Sequence, residues 1–296
     1  MKPIHNVSLG RGQPRVRCDI AAHHIASWHA DQFPSLRQRP GPDDAIRLPA
    51  NLLKHSDEQT VAALAAVLRA IAEFRMPIGS FSDWGIVSAP CFLGRSVLAG
   101  ALEQFAVDGP WGISPHLIPH RSQHAVSGTI SLALNIRGPN FGAGGGSDGP
   151  TEGLLGAAVM LAERSVPGVW VTVTGWDPDL LPGKDNSRCE CWAVALALVP
   201  RRTGSANPYL VVSGGAKSTA GYEEEREPTV SRLATLLLPV LSTESQAMRA
   251  GWQYPGGWIE LGRERTSAPL PEPHFLHRLS ASGSTQARQA GMERKG

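Results

Sequence analysis

The chain has 296 residues, of which 42% are hydrophobic, and a formal net charge of +2. A chain of this size and apolar content can bury a core in one large domain or two small ones. Its basic residues are scattered, and no run of them could follow a phosphate backbone. The composition therefore argues against nucleic-acid binding.

The cysteines are too few and too irregularly spaced for a disulfide framework in a chain of this length. They are Cys18, Cys91, Cys189 and Cys191. No apolar run near the first residue has the form of a secretory signal, and none approaches the roughly 20 residues of a transmembrane helix. We therefore expect a cytoplasmic protein with reduced thiols and no membrane span.

The first half of the chain alternates irregular segments with clear periodic ones. Residues 1–45 mix Gly, Pro and Arg without lasting periodicity, which predicts a partly irregular N-terminal arm with one short helix around 20–30. Ser56 and Gln59 form a capping-box-like pair before apolar side chains at helical spacing, so we predict a helix over 56–74. Shorter patterns predict a buried strand at 84–89, a helix at 93–106 and a loop at 110–119.

The middle of the chain is unusually rich in glycine. A helix starting near Ser122 is predicted to run up to the Gly138-Pro139 break. Residues 141–146 contain four glycines, which predicts a weak strand that needs neighbours to order it, because glycine loses the most backbone entropy on folding. After it we predict a helix at 151–164 and two strands.

The remaining pattern predicts a second group of elements and then a tail. The predicted strands are at 169–174, 189–199, 209–212 and 257–261, the helix is at 230–241, and an acidic loop occupies 221–227. Residues 264–296 are rich in Ser, Pro, Arg and Gln, so their burial cannot offset the entropy of ordering, and we predict disorder. The predicted organisation is an arm at 1–45, a domain at 46–263 and a disordered tail at 264–296.

A motif frame in residues 124–161 carries the main functional signal. Ile130-Ser131 and Leu134 are followed by Gly138-Pro139-Asn140, then by Ser147 just before a predicted helix. This frame resembles the nucleophile region of the β-ketoacyl synthases, thiolase-fold enzymes that condense acyl chains. The resemblance covers about residues 46–200. It implies an α/β fold, a thiolase-like α/β/α layered sandwich shortened mainly to the N-terminal half of a ketosynthase.

The same resemblance implies that Ser147 stands where the family has its reactive cysteine. A thiol near a helix N-terminus has a lowered pKa, whereas a serine hydroxyl needs an adjacent base before it can attack a thioester. The family's two histidines belong to a second half for which this chain has no room. The only histidines after Ser147 are His274 and His277, in the predicted tail.

The resemblance is strongest to N-terminal-domain-like proteins of the chain-length-factor kind, which lack the cysteine. It implies a non-catalytic subunit that pairs with an active β-ketoacyl synthase, or with itself, as a dimer. The setting would be fatty acid, polyketide or aryl-polyene type biosynthesis, with an acyl carrier protein as a further candidate partner and no cofactor. Two alternatives stay open: an acyltransferase or thioester-processing enzyme that uses Ser147, and a structural subunit of a biosynthetic assembly.

Three histidines, His116, His120 and His124, are spaced four apart and on one continuous helix could bind zinc. Pro115 and Pro119 argue against such a helix. We therefore expect loop histidines and no metal.

Three other patterns favour structural explanations. Residues 145–149 satisfy G-x-S-x-G, the nucleophile elbow of α/β-hydrolases, but no hydrophobic strand precedes them. Residues 214–219 resemble a phosphate-binding loop that lacks two of its glycines, so we predict a turn. Cys189 and Cys191 lie two apart in a predicted strand, on one face, and read as buried hydrophobic residues.

Overall fold

A computed structural model describes residues 15–42, 48–115, 117–215, 227–242 and 248–264. In these ranges the chain forms helices α1 (Phe33–Gln38), α2 (Glu58–Glu73), α3 (Arg95–Asp108), α4 (Leu117–Arg121), α5 (Gln123–Leu134), α6 (Gly149–Ala162) and α7 (Val230–Leu241). The strands are β1 (Arg15–His29), β2 (Gly85–Pro90), β3 (Asn140–Gly142), β4 (Val169–Asp177), β5 (Glu190–Pro200), β6 (Tyr209–Gly214), β7 (Met248–Tyr254) and β8 (Gly257–Arg263). No helix in this part of the chain is both long and apolar enough to cross a membrane.

The described strands form one mixed sheet, in the order β3-β2-β4-β5-β1-β6-β8-β7. Strand β2 is parallel to β3 and β4, and the other pairs are antiparallel. Because parallel strands end at the same edge of a sheet, the segments that follow β2, β3 and β4 come together there.

Helices cover both faces of the sheet. Helices α2 and α5 pack on one face, and α6 and α7 pack on the other, each with its own buried apolar cluster. The predicted α/β/α layered sandwich is therefore confirmed. Its two cores are separated by the sheet, whose middle strands are buried on both sides.

Helix α2 lies close to its predicted position. Twelve of its residues are buried, because it packs against the sheet and against α5. The N-cap is Asp57, whose side chain accepts a hydrogen bond from the Gln59 N–H at 3.0 Å, and not Ser56 as the sequence pattern suggested. Asp and Ser cap helices about equally well, so the pattern could not separate these neighbours.

The interpretation of residues 15–29 as part of an arm with a short helix is wrong. These residues form β1, which lies inside the sheet between β5 and β6. Asp19 is buried in this strand, and its Oδ1 lies 2.6 Å from Nη1 of Arg201. Both faces are covered and a charge is buried, so the strand lacks the polar–apolar alternation that reveals half-exposed strands. The folded domain therefore includes residues well before position 46.

Three smaller differences concern segment lengths. The predicted strand 141–146 is limited to β3, and the predicted loop 110–119 ends in the short helix α4. Strand β7 was not predicted, and it forms a hairpin with β8. The predicted tail, except Glu264, and residues 221–226 of the predicted acidic loop lie outside the described residues.

Candidate functional site

The candidate site is the loop 143–148, which joins β3 to α6. Gly144 and Gly145 have φ angles of +76° and +116°, in the left-handed region that side chains disfavour. The Phe92 N–H donates to the Gly145 carbonyl at 3.1 Å, and the Ala143 N–H donates to the Ser88 carbonyl at 2.7 Å. Two of the four glycines that made this segment a poor strand are thus required by the loop's backbone conformation.

Gln123, the first residue of α5, holds the loop in place. Its side-chain amide donates to the Gly144 carbonyl, and a Cβ on Gly145 would lie 1.9 Å from the same nitrogen. The buried Ser88 hydroxyl donates to the Gln123 carbonyl at 3.2 Å and accepts from the Ser127 N–H at 3.1 Å. Sequence reasoning missed Gln123, because nothing local distinguishes a glutamine in a first helical turn from a solvent-exposed one.

The motif residues before the loop fix the approach of the chain. The Asn140 amide donates to the Ser131 hydroxyl at 2.7 Å, which ties the start of β3 to α5. A Cβ on Gly138 would lie 2.2 Å from the Trp84 carbonyl oxygen. Only glycine allows this close approach to the segment before β2, so the Gly-Pro-Asn motif has a structural explanation.

Small residues let α6 lie close to β2. A Cβ on Gly149 would lie 3.0 Å from the Cys91 sulfur, and one on Gly153 would lie 2.6 Å from the Ala89 Cβ. The Trp252 N–H donates to the Thr151 hydroxyl at 2.9 Å, which anchors the first turn to β7. The helix N-terminus is therefore held firmly beside Ser147.

Ser147 is exposed, and its hydroxyl donates to the Asp148 carboxylate at 2.9 Å. Within the described residues, no histidine is hydrogen-bonded to Ser147, and His274 and His277 lie outside them. Ser147 lies in a turn directly before α6. The hydrogen-bond partner of its hydroxyl is the carboxylate of Asp148.

The surroundings of Ser147 are acidic. Asp148, the N-cap of α6, and Glu152, in its first turn, are exposed. Glu227 lies beside Asp148, and one of its carboxyl oxygens is buried without a hydrogen-bond donor. Partial burial raises the pKa of Glu227, and the neighbouring Asp148 and Glu152 raise it further. Negative charge here opposes the anion that a nucleophile must become.

Behind the loop lies a small polar network around Cys91. The Gln59 amide donates to the Cys91 carbonyl at 2.9 Å and accepts from the Thr174 hydroxyl at 3.0 Å. Burial raises the pKa of the Cys91 thiol to about 12, and nearby carboxylates add to the effect. The adjoining cavity has a volume of about 40 Å³, which admits water but not an acyl chain.

His120 and His124, the two histidines of the triplet that the structure describes, lie on different helices. His116 lies outside the described residues, while His120 and His124 fall on α4 and α5, which are separated at Ser122. The His120 ring packs 5.8 Å from that of His55, and the His124 ring lies beside the Ser127 hydroxyl. Among the described residues, no group of three or more potential ligands is arranged to hold a metal ion.

The structure describes the cysteine pair, the G-x-S-x-G pattern and part of the loop at 214–219. Cys189 and Cys191 are buried, and burial raises the pKa of Cys191. The G-x-S-x-G pattern follows a strand of only three residues, β3, at the edge of the sheet. Residues 216–219 of the loop resembling a phosphate site lie outside the described residues.

No protein family model and no curated protein matches the sequence. The fold is similar to a ketosynthase (ApeO) in complex with its chain length factor (ApeC) from Xenorhabdus doucetiae, with a TM-score of 0.53 and 13% identity over 84% of this chain and 100% of that chain. Two other similar structures are the type II polyketide ketosynthase–acyl-carrier protein complex AntDE:AntF (TM-score 0.47, 15% identity, 68% of this chain and 70% of that chain) and a β-ketoacyl synthase from Burkholderia phymatum STM815 (0.44, 12%, 63% and 59%). The first similarity shows that the chain has a ketosynthase-like, thiolase-type fold, as the motif frame implied.

Proposed function

We propose that this chain is a ketosynthase-like subunit of the chain-length-factor kind, which lacks condensing activity and pairs with an active β-ketoacyl synthase. The setting is polyketide, aryl-polyene or fatty acid type biosynthesis in the cytoplasm, with an acyl carrier protein delivering the chains. The observation that carries the proposal is the position of Ser147. The motif frame assigns Ser147 to the family's nucleophile turn, and in the structure its hydroxyl donates to the carboxylate of Asp148.

The electrostatics of the turn support a non-catalytic role. A condensing nucleophile must be deprotonated, and the positive end of a helix normally assists this. Here Asp148, Glu152 and Glu227 place negative charge at the same point. The cavity beside Cys91, with a volume of about 40 Å³, is also too small to hold an acyl chain.

The edge of the sheet supports pairing with another subunit. Strand β3 is hydrogen-bonded to β2 on one side, and its other edge is unpaired in the described residues. Leu132 is 71% exposed on α5 and Phe141 is 38% exposed on β3. Unpaired strand edges beside apolar side chains are surfaces that another chain can cover. The similar structure from Xenorhabdus is described as a ketosynthase with its chain length factor, and this supports a ketosynthase as the partner.

The proposal is tested by replacing Ser147 with Ala in a reconstituted complex with the partner ketosynthase. We expect the condensation rate with acyl and malonyl carrier-protein substrates to stay within about threefold of the wild type, since Ser147 takes no part in the chemistry. A matched Cys→Ala variant of the partner's nucleophile should abolish turnover. A loss of roughly a hundredfold or more, with the complex still assembled by size-exclusion chromatography, would exclude a non-catalytic Ser147.

One observation favours the alternative in which Ser147 processes a thioester. Its exposed hydroxyl already donates to the Asp148 carboxylate, which could act as a general base. In that case the isolated wild-type chain should hydrolyse or transfer an acyl group from a carrier protein, and Ser147→Ala should remove this activity. A purely structural subunit would show neither activity nor any influence on product chain length.

A further inference from the structure

Helix α3 differs from the other long helices of the domain because it buries none of its own residues. It spans fourteen residues and is followed by a 3-10 turn, Gly109–Gly112. From here on, the arm means α3 and this turn, residues 95–112, and not the N-terminal segment 1–45. Helices of this length are marginal in water unless packing covers an apolar face. The arm therefore needs a covering surface that the described chain does not provide.

Three large apolar side chains lie along one side of the arm's helix. Leu98, Leu102 and Phe105 are spaced four and three residues apart, so they share one side of the helix. Leu102 is 70% exposed, Phe105 is 50% exposed, and Trp111 in the turn is 97% exposed. Such spacing is typical of a helix that places one side against a partner.

The charge of the arm argues for a protein rather than a membrane. Helices that lie on anionic membranes carry lysines and arginines along their polar side. Between residues 95 and 115 the charged residues are Arg95, Glu103 and Asp108, so the segment is slightly acidic. A neutral, apolar protein surface suits this face better than lipid headgroups.

The exposed area matches a subunit interface. The apolar side chains on this side of the helix, together with Trp111 in the turn, expose on the order of 600 Å². They are Leu98, Leu102, Phe105 and Trp111. Patches of this size on a monomer are often functional, and a stable complex typically covers about 800 Å² on each partner. Leu132 and Phe141, beside the unpaired edge of β3, supply most of the remainder.

The chain contacts the candidate site before the arm and again after α4, which follows the arm. Just before the arm, the Phe92 N–H donates to the Gly145 carbonyl at 3.1 Å. Just beyond α4, which follows the arm, the Gln123 side chain donates to the Gly144 carbonyl. The arm thus leaves and returns at the loop that directly follows β3. A subunit bound at the β3 edge would therefore lie next to the point where the arm begins.

From these observations we infer that the arm is a docking element for the partner ketosynthase, and that Leu102, Phe105 and Trp111 are its main contact residues. This inference rests on the proposed function, because it takes the same subunit as the occupant. It adds that recognition extends beyond the edge of the sheet.

The test uses a double variant, Leu102→Gln/Phe105→Gln, a single variant, Trp111→Ala, and a matched control, Leu238→Gln. Leu238 is 55% exposed on α7, away from the arm, and glutamine is a good helix former. The probe is the purified full-length, cysteine-containing ketosynthase encoded nearest to this chain. We expect the double variant to weaken binding at least about 100-fold, and the control to stay within about threefold, since central apolar anchors dominate interface energetics. Circular dichroism and the thermal midpoint should be unchanged, because the substituted side chains are exposed.

The outcomes separate the two ideas. If the wild type binds the ketosynthase and both arm variants bind equally well, the docking role of the arm is refuted while the proposed function stands. If the wild type does not bind the ketosynthase at all, the proposed function fails and the arm loses its assigned occupant. If the isolated wild type is a dimer that the double variant converts to monomer, the occupant is a second copy, and the inference is overturned. Protection of α3 from hydrogen exchange on adding the ketosynthase is the result expected in support.

Discussion

At Ser147 two electrostatic effects oppose each other. The N-terminus of α6 favours an anion, whereas Asp148, Glu152 and Glu227 disfavour one. The nearby Cys91 already responds to this environment. Burial is the main cause of its high pKa, and Asp179, Asp148 and Glu152 raise it further. A thiol at position 147 would lack the burial but would still meet the carboxylates.

This balance predicts the reactivity of a restored cysteine. Ser147→Cys should react with iodoacetamide faster than Cys91 or Cys189, because those thiols are buried and position 147 is exposed. Adding Asp148→Asn should lower the pKa of the new thiol by about one unit and raise its alkylation rate near neutral pH about three- to tenfold. Rates are measured against pH by mass spectrometry. A double variant that reacts no faster than Ser147→Cys would show that Asp148 does not control this position. We expect neither variant to condense acyl chains alone.

The elements around the site depend on close approaches between backbone segments. Gly138 meets the carbonyl of Trp84, and Gly153 meets Ala89, so α5, α6 and β2 come together at points where a methyl group does not fit. The small residues of the motif frame are therefore explained by packing, independently of any chemistry at Ser147. The fold itself needs these small residues, whatever the role of Ser147.

Replacing Gly138 with Ala tests this explanation. The added methyl carbon would lie 2.2 Å from the Trp84 carbonyl oxygen, so the segment must shift, and we expect a loss of about 1–3 kcal/mol in the free energy of unfolding. The matched control is Gly79→Ala, where nothing lies within 4 Å of the new carbon, and which should change stability little. Urea denaturation measures both. Equal stability of the two variants would mean that Gly138 is not required for packing.

The stability of the whole domain should depend on pH through Asp57. This N-cap carboxyl is buried beside Arg121, and burial, with a contribution from Glu58, raises its pKa from 3.8 to about 6. The folded state therefore holds a proton on Asp57 that the unfolded state releases between these values. The stabilisation from protonation is complete below about pH 3.8 and is lost as the pH rises through about 6.

Asp57→Asn provides the comparison, because asparagine also caps helices but does not titrate. We expect the difference in unfolding free energy between the wild type and this variant to shift in favour of the wild type as the pH falls from 7 to 4. The shift over this range should be on the order of 2 kcal/mol, since each pKa unit corresponds to about 1.36 kcal/mol and pH 4 is still just above the pKa of the unfolded state. Chemical denaturation at several pH values measures it. A difference that stays constant over this range would contradict the raised pKa.

Much of the architecture could be read from local patterns. Helices α2, α5, α6 and α7 and strands β2, β4 and β5 lie near their predicted positions, because apolar spacing and capping residues act over a few neighbouring positions. The Gly-Pro-Asn motif and Ser147 could be placed before a helix for the same reason. The functional role of Ser147 is still a prediction.

Other features arise from contacts between distant parts of the chain. Strand β1 is held by pairing with β5 and β6, and its buried Asp19 is acceptable only because Arg201, 182 residues away, lies beside it. The contact of Gln123 with the glycine loop and the exposure of the apolar face of α3 likewise depend on where other elements end. Local spacing indicates which segments can become helices or strands, since that preference depends on neighbouring residues. Burial, charge pairing and open surfaces depend on which distant segments meet, and these appeared only with the folded arrangement.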